Sequence, residues 1–134
     1  MSNIVKIKEK IKNYKKIITV PGDKSLSIRW VLFASLANGN SKAKNLLMSE
    51  DVLAAIKTIK KLGIKVIIDK KKCEIFGKGI DGYKYKNNLT INAQNSGTLG
   101  RLILGLLVNS EKPINLIGDK SLSKRDFKRV TVPI

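Results

Sequence analysis

The sequence predicts an α/β fold in which strands and helices alternate, pass through a glycine-rich loop, and begin again. Three observations carry this. Apolar residues switch between β-branched runs of strand length and spacings of three to four that make one helical face. Each predicted helix opens on hydroxyl or acidic residues that suit an N-cap. Gly, Pro and Asn fall between the periodic segments, where the chain has to turn.

Residues 1–16 are lysine-rich with sparse apolar positions, and read as a frayed strand or an extension. Lys16–Val20 is β-branched and reads as a strand, stopped by Pro21-Gly22. Ser25 or Ser27 caps a helix running to about Ala37, ended by Asn38-Gly39. Its apolar face is drawn by Leu26, Trp30, Val31, Phe33, Ala34 and Ala37. Ser41–Leu47 reads as a second strand. Ser49 then caps a helix with Glu50 and Asp51 in its first turn, where the helix dipole favours acids. Leu53, Ile56, Ile59 and Leu62 are spaced by three along its buried face, and Gly63 stops it. Lys57, Lys60 and Lys61 make its solvated side.

Ile64–Ile68 and Cys73–Phe76 flank Asp69-Lys70-Lys71-Lys72 as a hairpin. A loop with Gly77, Gly79 and Gly82 follows. Leu89–Ala93 is a strand, Ser96 or Thr98 opens a helix through Leu107, and Pro113–Ile117 is another strand. The order is strand–helix–strand–helix–strand–strand, then strand–helix–strand again. This predicts an internal structural repeat with Val20 and Ile91 in equivalent places. Gly-Asp-Lys-Ser-Leu-Ser occurs at 22–27 and at 118–123, each time followed two residues later by Arg. Its offset does not fit the repeat, so it reads as recurring loop chemistry.

Composition removes whole classes of chemistry. The 134 residues contain no histidine, which excludes imidazole acid–base work, Ser-His-Asp triads and His-liganded zinc. The single cysteine, Cys73, excludes an internal disulfide and reads as a core thiol. Hydrophobic residues make up 43%, enough for a packed core. No apolar run approaches the ~20 residues of a membrane helix. The first twenty residues lack the apolar stretch of a secretory signal, so the expectation is a soluble, cytoplasmic chain.

The net charge is +17, from 27 basic and 10 acidic residues. A nucleic-acid-binding module is one reading of that balance. The lysines are scattered along the whole chain, and aromatics at 5% are too few for a base-stacking platform. Only four basic residues are arginines: Arg29, Arg101, Arg125 and Arg129. Arginine presents a planar fork that grips carboxylate or phosphate with two parallel bonds. Three of the four lie in Gly/Ser/Asn-rich segments: 22–29, 95–101 and 118–125. Such segments offer backbone N–H groups and hydroxyls to anions, so the ligand expected is small and multiply anionic. In the first, Lys24 stands just before a helix start, and Ser25 and Arg29 share a face four residues apart.

The motifs Pro-Gly-Asp-Lys-Ser-x-Ser-x-Arg (21–29), Asn-Leu-Leu-x-Ser-Glu-Asp (45–51), Asn-Ser-Gly-Thr-x-x-Arg (95–101) and Gly-Asp-x-Ser-Leu-x-x-Arg (118–125) occur in this order. Together they resemble the 3-phosphoshikimate 1-carboxyvinyltransferase family of enolpyruvyl transferases. The resemblance runs from about residue 17 to the end. It implies repeated βαβαββ units, with one unit and part of a second present here. It implies transfer of the enolpyruvyl group of phosphoenolpyruvate to the 5-hydroxyl of shikimate 3-phosphate, in a cleft between two domains, without metal or organic cofactor. Residues 1–20 would help complete the second domain, and 21–134 would form part of the first. Unit one would run to about 77–87, and unit two would occupy 88–134.

Carried over by position, Lys24 touches both substrates and is the catalytic candidate. Ser25 and Arg29 hold the shikimate portion. Gly97 and Arg125 line the phosphoenolpyruvate site, with Asn95 and Thr98 in the same loop. Gly97 also matches the position where a side chain would crowd glyphosate. The sequence departs from the family pattern at Ile28, at Leu99-Gly100 and at Asp126, which follows Arg125 in place of a frequent proline. It is also much shorter than family members. The resemblance therefore implies an N-terminal fragment, inactive alone because its acid–base carboxylates lie elsewhere, from an enzyme that is monomeric at full length. The partners implied are these small anionic substrates, with no nucleic acid and no membrane. The paralogous transferase acting on UDP-N-acetylglucosamine shares the fold and the donor, but its usual loop cysteine is absent from 118–125. A short inactive relative, serving as a binding or regulatory subunit, would carry the same motifs without turnover.

Overall fold

Asp23 starts the first regular element. Its carboxylate accepts from the Leu26 backbone N–H at 2.7 Å and begins helix α1, Lys24–Leu36. The cap is thus the acid and not Ser25 or Ser27, because Asp23 has the extended backbone an N-cap needs while both serines already lie inside the helix. The computed structural model describes residues 4, 6, 8, 13, 15–70 and 72–134. Most of the expected extension at 1–16 lies outside these. Lys16–Val20 is described and is not a strand. A strand needs a neighbour for its backbone groups, and these side chains are all exposed, with Ile17 98% accessible.

Strand β1 (Asn38–Lys44) follows α1 directly, three residues earlier than the apolar pattern predicts. Its register is set by pairing with a later strand and not by its own polar sequence. Helix α2 (Glu50–Lys61) is bounded by Ser49 and by Gly63, which has φ +86°. Strands β2 (Lys65–Asp69) and β3 (Lys72–Lys78) form the predicted hairpin, with Lys70 at φ +47° in the turn. β3 is the middle strand of an antiparallel sheet ordered β1-β3-β2, with Ile75 between Ser41 and Val66. α1 lies against β3 so closely that a Cβ on Gly77 would overlap the carbonyl oxygens of Ala34 and Ala37.

The second half repeats the strand–helix–strand order. Strand β4 (Leu89–Asn92), helix α3 (Gly97–Leu106) and strand β5 (Ile114–Ile117) form a parallel pair with a crossover helix, Ile91 opposite Leu116. A three-residue 3-10 turn (Leu122–Lys124) and the short helix α4 (Lys128–Thr131) close the described chain. The mixed α/β architecture is the predicted one, although the first unit shows no leading strand among the described residues.

One core joins the two halves. Ile28, Val31 and Leu32 of α1 meet Val52, Ile56 and Ile59 of α2, Ile75 of β3, Ile91 of β4 and Ile103 of α3. The buried face of α1 is rotated from the predicted one. Ser27, Ile28, Val31, Leu32, Ala34 and Ser35 are inside, while Leu26 and Phe33 are 62% and 59% exposed. Ser35 is tolerated inside because its hydroxyl bonds the Leu32 carbonyl and the Tyr83 hydroxyl, the latter at 2.7 Å. Burial raises the Tyr83 pKa above its ordinary value, opposed by that bond to Ser35. Cys73 is buried as expected, and burial raises its thiol pKa against the field of Lys60.

Candidate functional site

The four sequence motifs fold into two pairs, each joined by hydrogen bonds at the N-terminal ends of helices. In the first pair, the turn before α1 is stapled to the 45–51 segment. Asn45 donates from Nδ2 to the Val20 carbonyl at 3.1 Å. Ser27 Oγ donates to the Asp23 carbonyl at 2.6 Å and accepts from the Leu47 N–H at 3.1 Å. Gly22 has to be glycine, since a Cβ there would overlap the Asn45 carbonyl. Lys24, at the first helical position, reaches across to Asp51 in the first turn of α2, with Nζ 2.9 Å from Oδ2. Ser25 is half-buried and Arg29 is exposed one turn further on. Among the described residues neither side chain bonds another protein group.

In the second pair, hydrogen bonding between the parallel strands continues into the loops. Ala93 N–H donates to the Ile117 carbonyl at 2.9 Å and Asp119 N–H to the Gln94 carbonyl at 2.8 Å. Asn92 Oδ1 accepts from the Gln94 N–H at 2.8 Å and holds Gln94 at φ +50°. This turn leads to Asn95, whose Oδ1 accepts from Arg125 Nη2 at 2.5 Å. Ser96 is buried and caps α3, accepting from the Leu99 N–H at 3.2 Å. Gly97 is the first helical residue, and a Cβ there would stand 2.8 Å from Arg125 Nη1 and 3.1 Å from Arg101 Nη1. Two guanidiniums therefore converge on a bare α-carbon at a helix N-terminus. Among the described residues neither is paired with an acid; the ion pairs found are Lys24–Asp51 and Lys42–Glu74.

The repeated Gly-Asp-Lys-Ser-Leu-Ser hexapeptide is one local structure used twice. At 22–27 the Asp23 carboxylate caps Leu26, and the Asp23 carbonyl accepts from Ser27 N and Oγ. At 118–123 the Asp119 carboxylate caps Leu122 at 2.7 Å, and the Asp119 carbonyl accepts from Ser123 N and Oγ. The outcomes then diverge. α1 continues and leaves Arg29 on its surface, whereas the second turn ends at Arg125, whose extended backbone (φ −82°, ψ 141°) takes it out of the turn.

The predicted residues thus gather as two groups. Lys24, Ser25 and Arg29 share the start of α1, while Asn95, Gly97 and Arg125 share the start of α3. Thr98, half-buried in the first turn of α3, bonds no described residue. No described hydrogen bond or ion pair links the two groups, although α1 and α3 are in contact. Two concavities are lined by other residues than these. A cleft of about 660 Å³ is lined by Leu36, Tyr83, Tyr85 and Leu107, and a groove of about 460 Å³ by Leu104, Leu116, Leu122 and Phe127. Among the described residues no cluster of His, Cys, Asp or Glu is arranged to hold a metal, and no helix is long and apolar enough to cross a membrane.

Two members of these groups have no role legible from sequence. Asp51 lies within the 45–51 motif, but its pairing with Lys24 spans a helix and a strand and leaves no local signal. Arg101 ends the 95–101 motif and is one of four arginines, but its contacts with Asp126 and Phe127 leave no local signal. The i, i+4 spacing from Gly97, once the helix start at 97 is known, puts it on the same face.

The chain is similar to known proteins over most of its length. The sequence model described as EPSP synthase (3-phosphoshikimate 1-carboxyvinyltransferase) matches residues 8–134. A 3-phosphoshikimate 1-carboxyvinyltransferase of Bacillus cytotoxicus is 42% identical over 117 residues, 87% of this chain and 27% of that protein. The protein of the same description from Streptococcus suis is 39% identical over 130 residues, 97% of this chain and 30% of its own. A solved EPSP synthase structure from Acinetobacter baumannii superposes with TM-score 0.80 at 35% identity, covering 87% of this chain and 26% of that one. The chain therefore spans under a third of the length of these relatives.

Proposed function

Since the chain belongs to the EPSP synthase (3-phosphoshikimate 1-carboxyvinyltransferase) family, we propose that it supplies the cation-rich part of a site transferring an enolpyruvyl group from phosphoenolpyruvate to the 5-hydroxyl of shikimate 3-phosphate. In that reaction the acceptor oxygen bonds to the central enol carbon, and the phosphate on that carbon leaves. A proton added at the methylene carbon is later removed. Both substrates are multiply anionic, so bringing them together requires preorganised positive charge.

The observation that carries this reading is Gly97, under the guanidiniums of Arg125 and Arg101, with Asn95 bonding Arg125. A bare α-carbon gives a phosphate or carboxylate close approach to the Arg125 fork and to the N–H groups of the helix start. Lys24, Ser25 and Arg29 serve the acceptor, with Lys24 touching both ligands and Thr98 at the margin of the donor site. Four acids in or beside these motifs are already engaged. Asp23, Asp119 and Asp126 each accept from a backbone N–H, and Asp51 from Lys24. The residues described here bind and orient, and the proton transfers fall to groups outside them. The chain alone accordingly binds its ligands without turnover.

Residues 21–134 belong to one domain, with the break between its two units in the 79–88 loop that separates the two sheets. Residues 1–20 serve another domain. The test is a chimera in which residues 8–134 replace the aligned segment of the Streptococcus suis relative. Phosphate release dependent on both substrates, and lost with Arg125→Ala, is expected. A folded chimera without activity, while its unmodified parent is active, overturns the proposal.

A further inference from the structure

Arg125 is exposed and follows a turn of only three residues, so its own segment does little to hold it. What holds that segment is α3. Arg101 Nη2 donates to the Asp126 carbonyl at 3.2 Å. The same guanidinium lies 5.4 Å from the centroid of the Phe127 ring. Gly100 lets that ring lie against the helix, since a Cβ on Gly100 would stand 3.2 Å from Phe127 Cε1 and Cζ. Leu122, buried in front of them, accepts through its carbonyl from the Arg125 N–H at 3.0 Å. The residues on either side of Arg125 are therefore gripped, one by a hydrogen-bonded turn and the other by a fork and a glycine notch on α3.

We propose that Arg101 is a positioning residue which, with Gly100 and Phe127, clamps the 125–127 segment onto α3 and so places the Arg125 guanidinium over Gly97. The planar fork is essential to this task. One edge donates to a carbonyl while the plane faces a ring, which a lysine ammonium does not reproduce. The clamp links two motifs far apart in the chain, and it makes the geometry at the start of α3 depend on a side chain one turn into the helix. Its consequence for ligand affinity rests on the function proposed above, whereas the placement of Arg125 does not.

The test uses the full chain labelled with nitrogen-15 at arginine, as wild type, Arg101→Lys and Phe127→Leu. The wild-type Arg125 side-chain N–H signals are expected to be resolved and slowly exchanging, because Nη2 is bonded to Asn95 Oδ1. Both variants are expected to average those signals. The dissociation constant for phosphoenolpyruvate is expected to rise about tenfold, the order of one charge-assisted hydrogen bond, with that for shikimate 3-phosphate unchanged. Phe127→Leu keeps the second arm readable should Arg101→Lys fail to fold.

Unchanged Arg125 signals in a folded variant overturn the clamp, even where phosphoenolpyruvate affinity falls, because Arg101 would then be touching the ligand itself. Averaged signals with unaltered affinity overturn the clamp's role in binding. Averaged signals in a chain that does not bind phosphoenolpyruvate even as wild type uphold the clamp and count against the proposed function.

Discussion

Gly97 and Arg125 stand one methyl group apart. A Cβ on Gly97 would come within 2.8 Å of Arg125 Nη1, and the atom it would strike is the far end of a flexible side chain. Gly97→Ala therefore moves Arg125 and leaves the backbone in place. Alanine also favours the helix over glycine by up to about 1 kcal/mol, so thermal stability should hold or rise. Affinity for phosphoenolpyruvate should fall by about tenfold, equivalent to about 1.4 kcal/mol, and affinity for glyphosate should fall with it. Thermal melting and calorimetric titration of the same variant check both halves. Full retention of affinity would sink the assignment of Gly97.

Ser25 and Ser27 should separate binding from stability. Ser27 Oγ joins Asp23 to Leu47, so Ser27→Ala leaves the Leu47 N–H without its acceptor. That costs about 1–3 kcal/mol in urea unfolding. Ser25 bonds no described group, and Ser25→Ala should change stability by less than about 0.5 kcal/mol. Its effect should appear in affinity for shikimate 3-phosphate. The opposite ranking in urea would show that the cap geometry is misassigned.

Lys24→Met tests the half-exposed pair with Asp51, where Lys24 is 53% accessible. Pairs of this kind are worth about 0–1 kcal/mol, so unfolding should shift little. Titration should show weakened binding of both anionic ligands. A loss confined to one of them would remove Lys24 from its shared position.

Alkaline pH should destabilise the fold through the buried Cys73 and the half-buried Tyr83. Burial raises the pKa of the Cys73 thiol and of the Tyr83 phenol above their ordinary values. The unfolded chain therefore releases these protons first, and stability falls as pH rises through the ordinary thiol and phenol values toward the raised ones. Urea unfolding across this range should show the decline, and Tyr83→Phe should flatten its upper part. Cys73 should react with a thiol reagent only at the rate of global opening. Fast labelling of the native chain would place the thiol at the surface.

Most of the elements are legible in the sequence because local chemistry decides them. Apolar spacing marks α2 and α3, Gly63 stops a helix, and the Ile64–Phe76 stretch reads as a hairpin even without a favoured turn dipeptide. The residues that group at the starts of α1 and α3 are legible as motifs, because a fork beside small residues suits an anion whatever surrounds it. Lys16–Val20 misleads because β propensity is expressed only where a neighbour accepts the backbone. The buried face of α1 is misread because Leu26 and Phe33 are as apolar as Ile28 and Leu32, and only the position of β3 and α2 selects between the two sides.

The sequence by itself determined the α/β class and the exclusion of histidine chemistry, and it marked three arginines that stand among small polar residues. It also showed the Gly-Asp-Lys-Ser-Leu-Ser recurrence, which proved to be one hydrogen-bond pattern formed twice. Only the tertiary structure decided that Lys24 reaches Asp51, that Asn95 holds Arg125, and that Arg101 grips the chain beyond it. These are contacts between segments far apart in sequence. Propensity and periodicity act over a few residues, whereas the meeting of two loops is set by how strands pair and helices pack across the whole core.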